Sequence, residues 1–204
     1  MAQRAFALQY AIHMSGRLLL GLLGGIAGLS AQPPVVEGLA ESKVRVLIYE
    51  DLQCSDCAEL RRMMDDKLLP RFGTRVAFVH RDFPLAKHAW AREAAIAARY
   101  FGEQKPELGL AYRRETLANI EQTTTGNFKE HLAQFARENR LDPAQVLAAL
   151  DDSKLASLVD RDFQDGVARG VIRTPTVFVS GRAFIEHIAF DDLSEALDEA
   201  LAGR

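Results

Sequence analysis

The sequence predicts an α/β fold, and three observations carry that prediction. A β-branched and aromatic run, Val44 to Tyr49 (VRVLIY), gives way to apolar positions at helical spacing, Cys57, Leu60, Met64 and Leu68, up to Pro70. A second such run, Arg75 to Arg81 (RVAFVHR), follows the turn at Gly73; strand, helix, strand in this order implies a right-handed crossover and parallel pairing. Strand character then returns late in the chain, at Thr176 to Ser180 (TVFVS), after a long stretch that carries only helical signals.

Taken in order, Met1 to Ala31 holds Arg4 and Arg17, no acidic residue, and an apolar run from Leu18 to Leu29. That run is short for a membrane span, which needs roughly 17 to 25 residues. With basic residues ahead and Gly28, Ser30 and Ala31 behind, residues 1–31 read as a secretory signal peptide or a retained membrane anchor. Residues 32–43, with Pro33-Pro34, read as a linker into the first strand. Beyond Lys87, helices are expected over His88 to Phe101, Glu107 to Ile120, Asn127 to Asn139 and Pro143 to Phe163. Gly102, Thr123-Thr124-Thr125-Gly126 and Asp142-Pro143 separate them. The returning strand turns at Gly181-Arg182, resumes over Ala183 to His187, and an amphipathic helix from Asp191 to Leu201 closes the chain.

A length of 204 residues with 48% hydrophobic and 26% charged residues describes a globular protein able to bury a sizeable core. The net charge is −3. Without Arg4 and Arg17 the remainder carries 23 basic against 28 acidic residues, a net −5, which leaves no basic face to hold nucleic acid.

The chain's two cysteines lie in Tyr49-Glu50-Asp51-Leu52-Gln53-Cys54-Ser55-Asp56-Cys57, where strand becomes helix. Cysteines three apart in a first helical turn are close enough to bond, since a disulfide wants α-carbons roughly 4.4 to 6.8 Å apart. The leading position also gains from unpaired amides and the positive end of the helix dipole, which favour a thiolate. Cys54 is therefore the expected nucleophile and Cys57 the resolving thiol. A structural zinc centre takes about four ligands, and His80, His88, His131 and His187 are scattered without ligand spacing, so neither metal nor cofactor is expected. Those histidines and Trp90 read as core or surface residues. A purely structural cross-link over so short a loop gives about 2 kcal/mol at most.

One further motif, Thr174-Pro175-Thr176, heads the returning strand. Together with the acid-x-x-Cys-x-x-Cys of Asp51 to Cys57, Arg81-Asp82-Phe83-Pro84-Leu85 closing the second strand, the alanine-rich helix behind His88, and Gly170-Val171, it forms an ordered pattern. In that pattern the chain, over Val44 to Leu201, resembles the thioredoxin superfamily, and within it the DsbA-like thiol-disulfide oxidoreductases. The resemblance implies a thioredoxin fold from residues 44–86 and 170–204, with residues 87–169 inserted as a helical domain. It implies a cis bond at Pro175 facing the cysteines, with the backbone of Thr174 pairing with an extended substrate peptide in strand-like fashion. It also implies protein thiols and disulfides as substrates, a membrane redox partner, and work in the periplasm or at the extracytoplasmic face of the membrane. A reductase or isomerase, and a redox-silent peptide-binding or metal-delivery module on the same fold, are the alternatives.

Two positions depart from the family pattern. The acid common six residues ahead of the first cysteine is Ile48 here. Glu50, on the same strand face, either substitutes as proton acceptor for the resolving thiol or is an exposed strand-end carboxylate. Between the cysteines, Asp56 is expected to oppose the Cys54 thiolate by about 1 to 3 kcal/mol, making a weaker oxidant. Arg173, ahead of Thr174, is expected to restore some positive potential.

Overall fold

The computed structural model describes residues 35–203; the leader reading of residues 1–31 falls outside them. Five strands form one mixed sheet in the order β1-β3-β2-β4-β5. At its centre, β2 (Arg45–Glu50) and β3 (Ala77–Asp82) pair in parallel, with Ile48 opposite His80 and Glu50 opposite Asp82. The returning strand β4 (Thr176–Val179) runs antiparallel to β2, and β5 (Arg182–Ile185) forms one edge against β4.

The opposite edge corrects the linker reading. Val35–Gly38 is a strand, β1, paired antiparallel with β3 from Val35–His80 to Gly38–Ala77. Its β-branched pair Val35-Val36 follows directly on Pro33-Pro34, and so short a run is overshadowed by the prolines. Gly38 ends it at φ +82°, where an added Cβ would sit 2.4 Å from the carbonyl oxygen of Val76. That approach admits only glycine.

Pro70 does not stop the helix after the cysteines. Helix α1 (Ser55–Met63) widens into a π-turn at Met64–Leu68 and continues as α2 (Leu69–Phe72), with Pro70 in its first turn. Proline lacks an N–H and crowds the carbonyl one turn back, and the wider turn just before it accommodates both defects. The expected helix from Pro143 to Phe163 is likewise interrupted. Helix α6 (Pro143–Ala148) and a 3-10 turn end at Asp152, whose side chain accepts the N–H groups of Lys154 and Leu155 to start α7 (Ser153–Ala168). Between α2 and α6 in sequence lie α3 (Ala91–Gln104), α4 (Pro106–Ala118) and α5 (Phe128–Glu138), and α8 (Phe190–Leu201) is the last helix.

Alternation along β2 divides the core. Val46 and Ile48 pack with Leu60, Met64, Phe78, Val177, Leu193 and Leu197 beneath α1 and α8. On the other face, Tyr49 packs with Phe83 and Val171 under α7. Gly166 lets α7 approach, since a Cβ there would lie 2.6 Å from Phe83 and 3.0 Å from Tyr49. The inserted helices have their own apolar core around Trp90, Phe101, Tyr112, Leu132 and Phe135, and it reaches Cys54, Cys57 and Ala58.

Candidate active site

Helix α1 begins where the β2 ladder ends, so Cys54 becomes its N-cap residue in extended backbone and Cys57 falls in its first turn. Both thiols are free; Cys54 is 7% and Cys57 1% exposed. The Thr174–Pro175 bond is cis. The Cys54 thiol donates to the Thr174 carbonyl oxygen at 3.3 Å, and the Asp51 N–H donates to the Cys57 sulfur at 3.4 Å.

These contacts separate the two thiols electrostatically. The Cys54 pKa falls to about 6, chiefly because the Cys57 thiol hydrogen-bonds to its sulfur; burial opposes this, and the Thr174 side chain and the N–H groups of Cys57 and Asp56 add to it. The Thr174 hydroxyl is buried with no other hydrogen-bond partner, which leaves it available to a thiolate. Burial drives the Cys57 pKa well above the ordinary thiol value, reinforced by its hydrogen bond to Cys54 and by the charges of Cys54 and Glu50.

Against the upward push expected from the Asp56 carboxylate, the net Cys54 shift is downward, and that carboxylate is not among its largest causes. The backbone N–H of Asp56 supports the thiolate, while its carboxylate lies 3.9 Å from the imidazole of His187. Asp56, Glu59 and His187 bring three ligand-type atoms within 4.8 Å of one another, a grouping invisible in the sequence spacing of the histidines. Arg173 has its charge engaged by Glu186 at 2.7 Å.

Glu50 is 5% exposed, which overturns the exposed-carboxylate alternative. Its Oε1 accepts from Arg113 at 2.9 Å and lies 2.9 Å from His80 Nδ1, while His80 Nε2 lies 3.0 Å from Glu37. Burial alone would raise the Glu50 pKa; the charges of His80 and Arg113 outweigh it and lower it. At Glu37, His80 and Arg61 likewise outweigh burial and hold the pKa at about 2. The His80 pKa is raised, because the two carboxylates outweigh its burial. Arg113 also pairs with Asp82, which Arg99 holds at 2.5 Å, and Arg99 pairs with Asp162. A buried chain of charges thus joins the strands to α3, α4 and α7. Sequence reading missed it, although Arg99 lies in phase with buried Ala91 and Ala95, and Arg113 with Gly109 and Leu117.

A cleft of about 760 Å³ opens over Cys54, lined among others by His88, Ile120, Ile172, Arg173 and Thr174. Ile172 is 76% exposed at its rim.

A family model described as Thioredoxin matches residues 30–199. The chain belongs to the thioredoxin family. Its fold is shared with DsbA1 of Wolbachia pipientis (TM-score 0.71, 16% identity, 84% of this chain and 92% of that one). BdbD of Bacillus subtilis is similar at TM-score 0.72 and 19% identity, over 83% and 94% of the two chains. A periplasmic thioredoxin-like protein of Salmonella enterica serovar Typhimurium matches at TM-score 0.69 and 20% identity, over 84% and 92%. The fold is thus the DsbA-like thioredoxin fold with inserted helices. Among curated proteins, the Na(+)/H(+) antiporter NhaA of Herminiimonas arsenicoxydans is 31% identical over 158 residues, 74% of this chain and 24% of that protein. NhaA 1 of Salinispora arenicola is 31% identical over 195 residues, 92% of this chain and 28% of that protein. The chain thus spans about a quarter of the length of these relatives. Among its described residues no helix is long and apolar enough to cross a membrane.

Proposed function

We propose that this chain is a thiol-disulfide oxidoreductase that exchanges disulfides with protein thiols through Cys54 and Cys57. The observation that carries the proposal is the split between the two thiols, one lowered to about 6 and the other pushed well above the ordinary range. In the oxidising direction a substrate thiolate attacks Cys54 Sγ of the Cys54–Cys57 disulfide. A bond forms from substrate sulfur to Cys54, the bond to Cys57 breaks, and Cys57 takes the electron pair and then a proton. A second substrate thiolate attacks the first substrate's sulfur, releasing Cys54 as a thiolate and a disulfide between the two substrate sulfurs. In the reducing direction Cys54 attacks and Cys57 resolves.

The thiolate-forming position of Cys54 favours this reading over a redox-silent peptide-binding module, which has no use for it. The Thr174 carbonyl beside Cys54 and the exposed Ile172 suit an extended peptide whose backbone, more than its side chains, is recognised. The likeness to antiporters concerns, on this reading, a thioredoxin-type segment of those longer proteins and not transport. Work in the cell envelope rests on the leader pattern of residues 1–31, with the periplasmic Salmonella neighbour in support, and reoxidation by a membrane partner rests on the resemblance to DsbA-like proteins.

The test is the reduction potential against glutathione together with catalysed oxidation of a reduced, unfolded protein. Turnover that is lost in C54S sustains the proposal. A value near cytosolic poise, with turnover only in the reducing direction, marks a reductase, and no turnover in either direction marks a binding module.

A further inference from the structure

We propose that His88 is a catalytic residue that carries the proton of the incoming substrate thiol, with Asp51 as the residue that positions it. This rests on the oxidoreductase reading and adds to it a group outside the cysteine motif.

His88 Nδ1 lies 2.8 Å from Asp51 Oδ2, and the Asp51 side chain is fully buried. That carboxylate is fixed by two backbone amides: Gln53 N–H donates to Oδ1 at 2.7 Å and Leu85 N–H to Oδ2 at 2.7 Å. The loop bearing His88 is also tied to the cysteine turn by the Trp90 N–H, which donates to Gln53 Oε1 at 2.8 Å. A carboxylate on Nδ1 fixes both the tautomer and the orientation of an imidazole. The other nitrogen, Nε2, makes no hydrogen bond among the described residues, and His88 lines the same cleft as Cys54 and Thr174. The side chain is 18% exposed. Asp51 meanwhile gives its own N–H to the Cys57 sulfur, so one residue addresses the resolving thiol with its backbone and the imidazole with its side chain.

The chemistry needs such a group. A substrate cysteine arrives as a thiol and must become a thiolate to attack Cys54, and an ordinary thiol of pKa about 8.5 is thiolate in about one part in three hundred at pH 6. Nε2 accepts that proton as the substrate sulfur bonds to Cys54 Sγ and the Cys54–Cys57 bond breaks. Cys57 takes the electron pair and one proton from solvent, and the proton on His88 returns to solvent, so one is lost and one gained. In the reducing direction the same imidazole protonates the departing substrate thiolate. The cleft's other charged groups are Asp56, Lys87, Glu121, Arg173 and Glu186. Asp56 faces His187 and Arg173 is paired with Glu186, which leaves His88 as the imidazole of the cleft.

The test compares H88N, which keeps a donor toward Asp51, with the intact protein in the oxidation of a reduced peptide thiol from about pH 6 to about pH 9. Expected is a loss of about ten-fold or more at the acid end that narrows to about two-fold at the alkaline end, where the substrate is already thiolate. Alkylation of Cys54 should keep its pH profile, and free imidazole should restore rate to a second variant, H88A. An H88N profile parallel to that of the intact protein, or a deficit constant across pH without imidazole rescue, overturns the assignment while leaving the oxidoreductase reading in place. If the intact protein alkylates at Cys54 but neither oxidises thiols nor reduces disulfides, the oxidoreductase reading fails and this one falls with it.

Discussion

The sulfur of Cys54 lies 3.3 Å from the carbonyl oxygen of Thr174, a residue 120 positions later in the chain. The contact sets the reactive thiol against the loop at the head of β4, and the Thr174 side chain helps to hold the Cys54 pKa low. Reactivity at Cys54 is thus a property of the closed fold.

Alkylation of Cys54 by iodoacetamide should rise with pH through a midpoint of about 6 and level off above it, because only the thiolate reacts. D56N should move that midpoint by less than about half a unit, since Asp56 acts on the thiolate through its backbone N–H. A midpoint near the ordinary thiol value of about 8.5 would refute the assignment of Cys54 as the activated thiol.

The same shift fixes the sign of the redox effect. A thiolate exists only in the reduced pair, so stabilising it draws the equilibrium toward dithiol and makes the disulfide a better oxidant. At pH 7 a pKa of about 6 is worth about 1.4 kcal/mol, or about 30 mV, relative to an ordinary thiol. The potential should fall with pH by about 60 mV per unit below that pKa and about 30 mV per unit above it, as the reduced pair keeps one proton instead of two. Equilibration with glutathione across pH measures this.

Replacing Arg113 by alanine should destabilise the protein by about 3 to 5 kcal/mol in urea, because Glu50 and Asp82 would stay buried without their shared partner. Adding E50Q to R113A should recover part of the loss. Equal stability of R113A and the intact chain would show that the buried charges are not coupled in this way.

G166A should cost about 1 to 3 kcal/mol, since its methyl group would press into Phe83 and Tyr49 where α7 crosses the sheet. The Cys54 alkylation midpoint should not change, which separates damage to packing from damage to the site.

The parallel strand pair and the helix opened by the cysteines were legible because each rests on a local signal, VRVLIY and Cys54-x-x-Cys57, whereas the cis bond at Thr174-Pro175 came only with the family resemblance, since an X-Pro pair carries no cis signal of its own. Strand β1 was obscured by its neighbouring prolines, and the break at Asp152 by an unbroken helical period on either side. The sign of the Cys54 shift could not be read from Asp56, because the groups that decide it include backbone amides, which every residue has. The pairing of Asp51 with His88, and of Glu50 with His80 and Arg113, joins residues 30 to 63 positions apart, and no spacing rule connects them.

The seam between the sheet and the inserted helices has an evolutionary consequence. Because Arg99, Arg113 and Asp162 come from the insertion while Glu37, Glu50, His80 and Asp82 come from strands, excising the helices in one event would strand several ions in the interior. A lineage of such proteins can remodel the loops around the cleft one residue at a time, but it cannot shrink to a minimal redox module without first dismantling the charges that bind the two parts into one body.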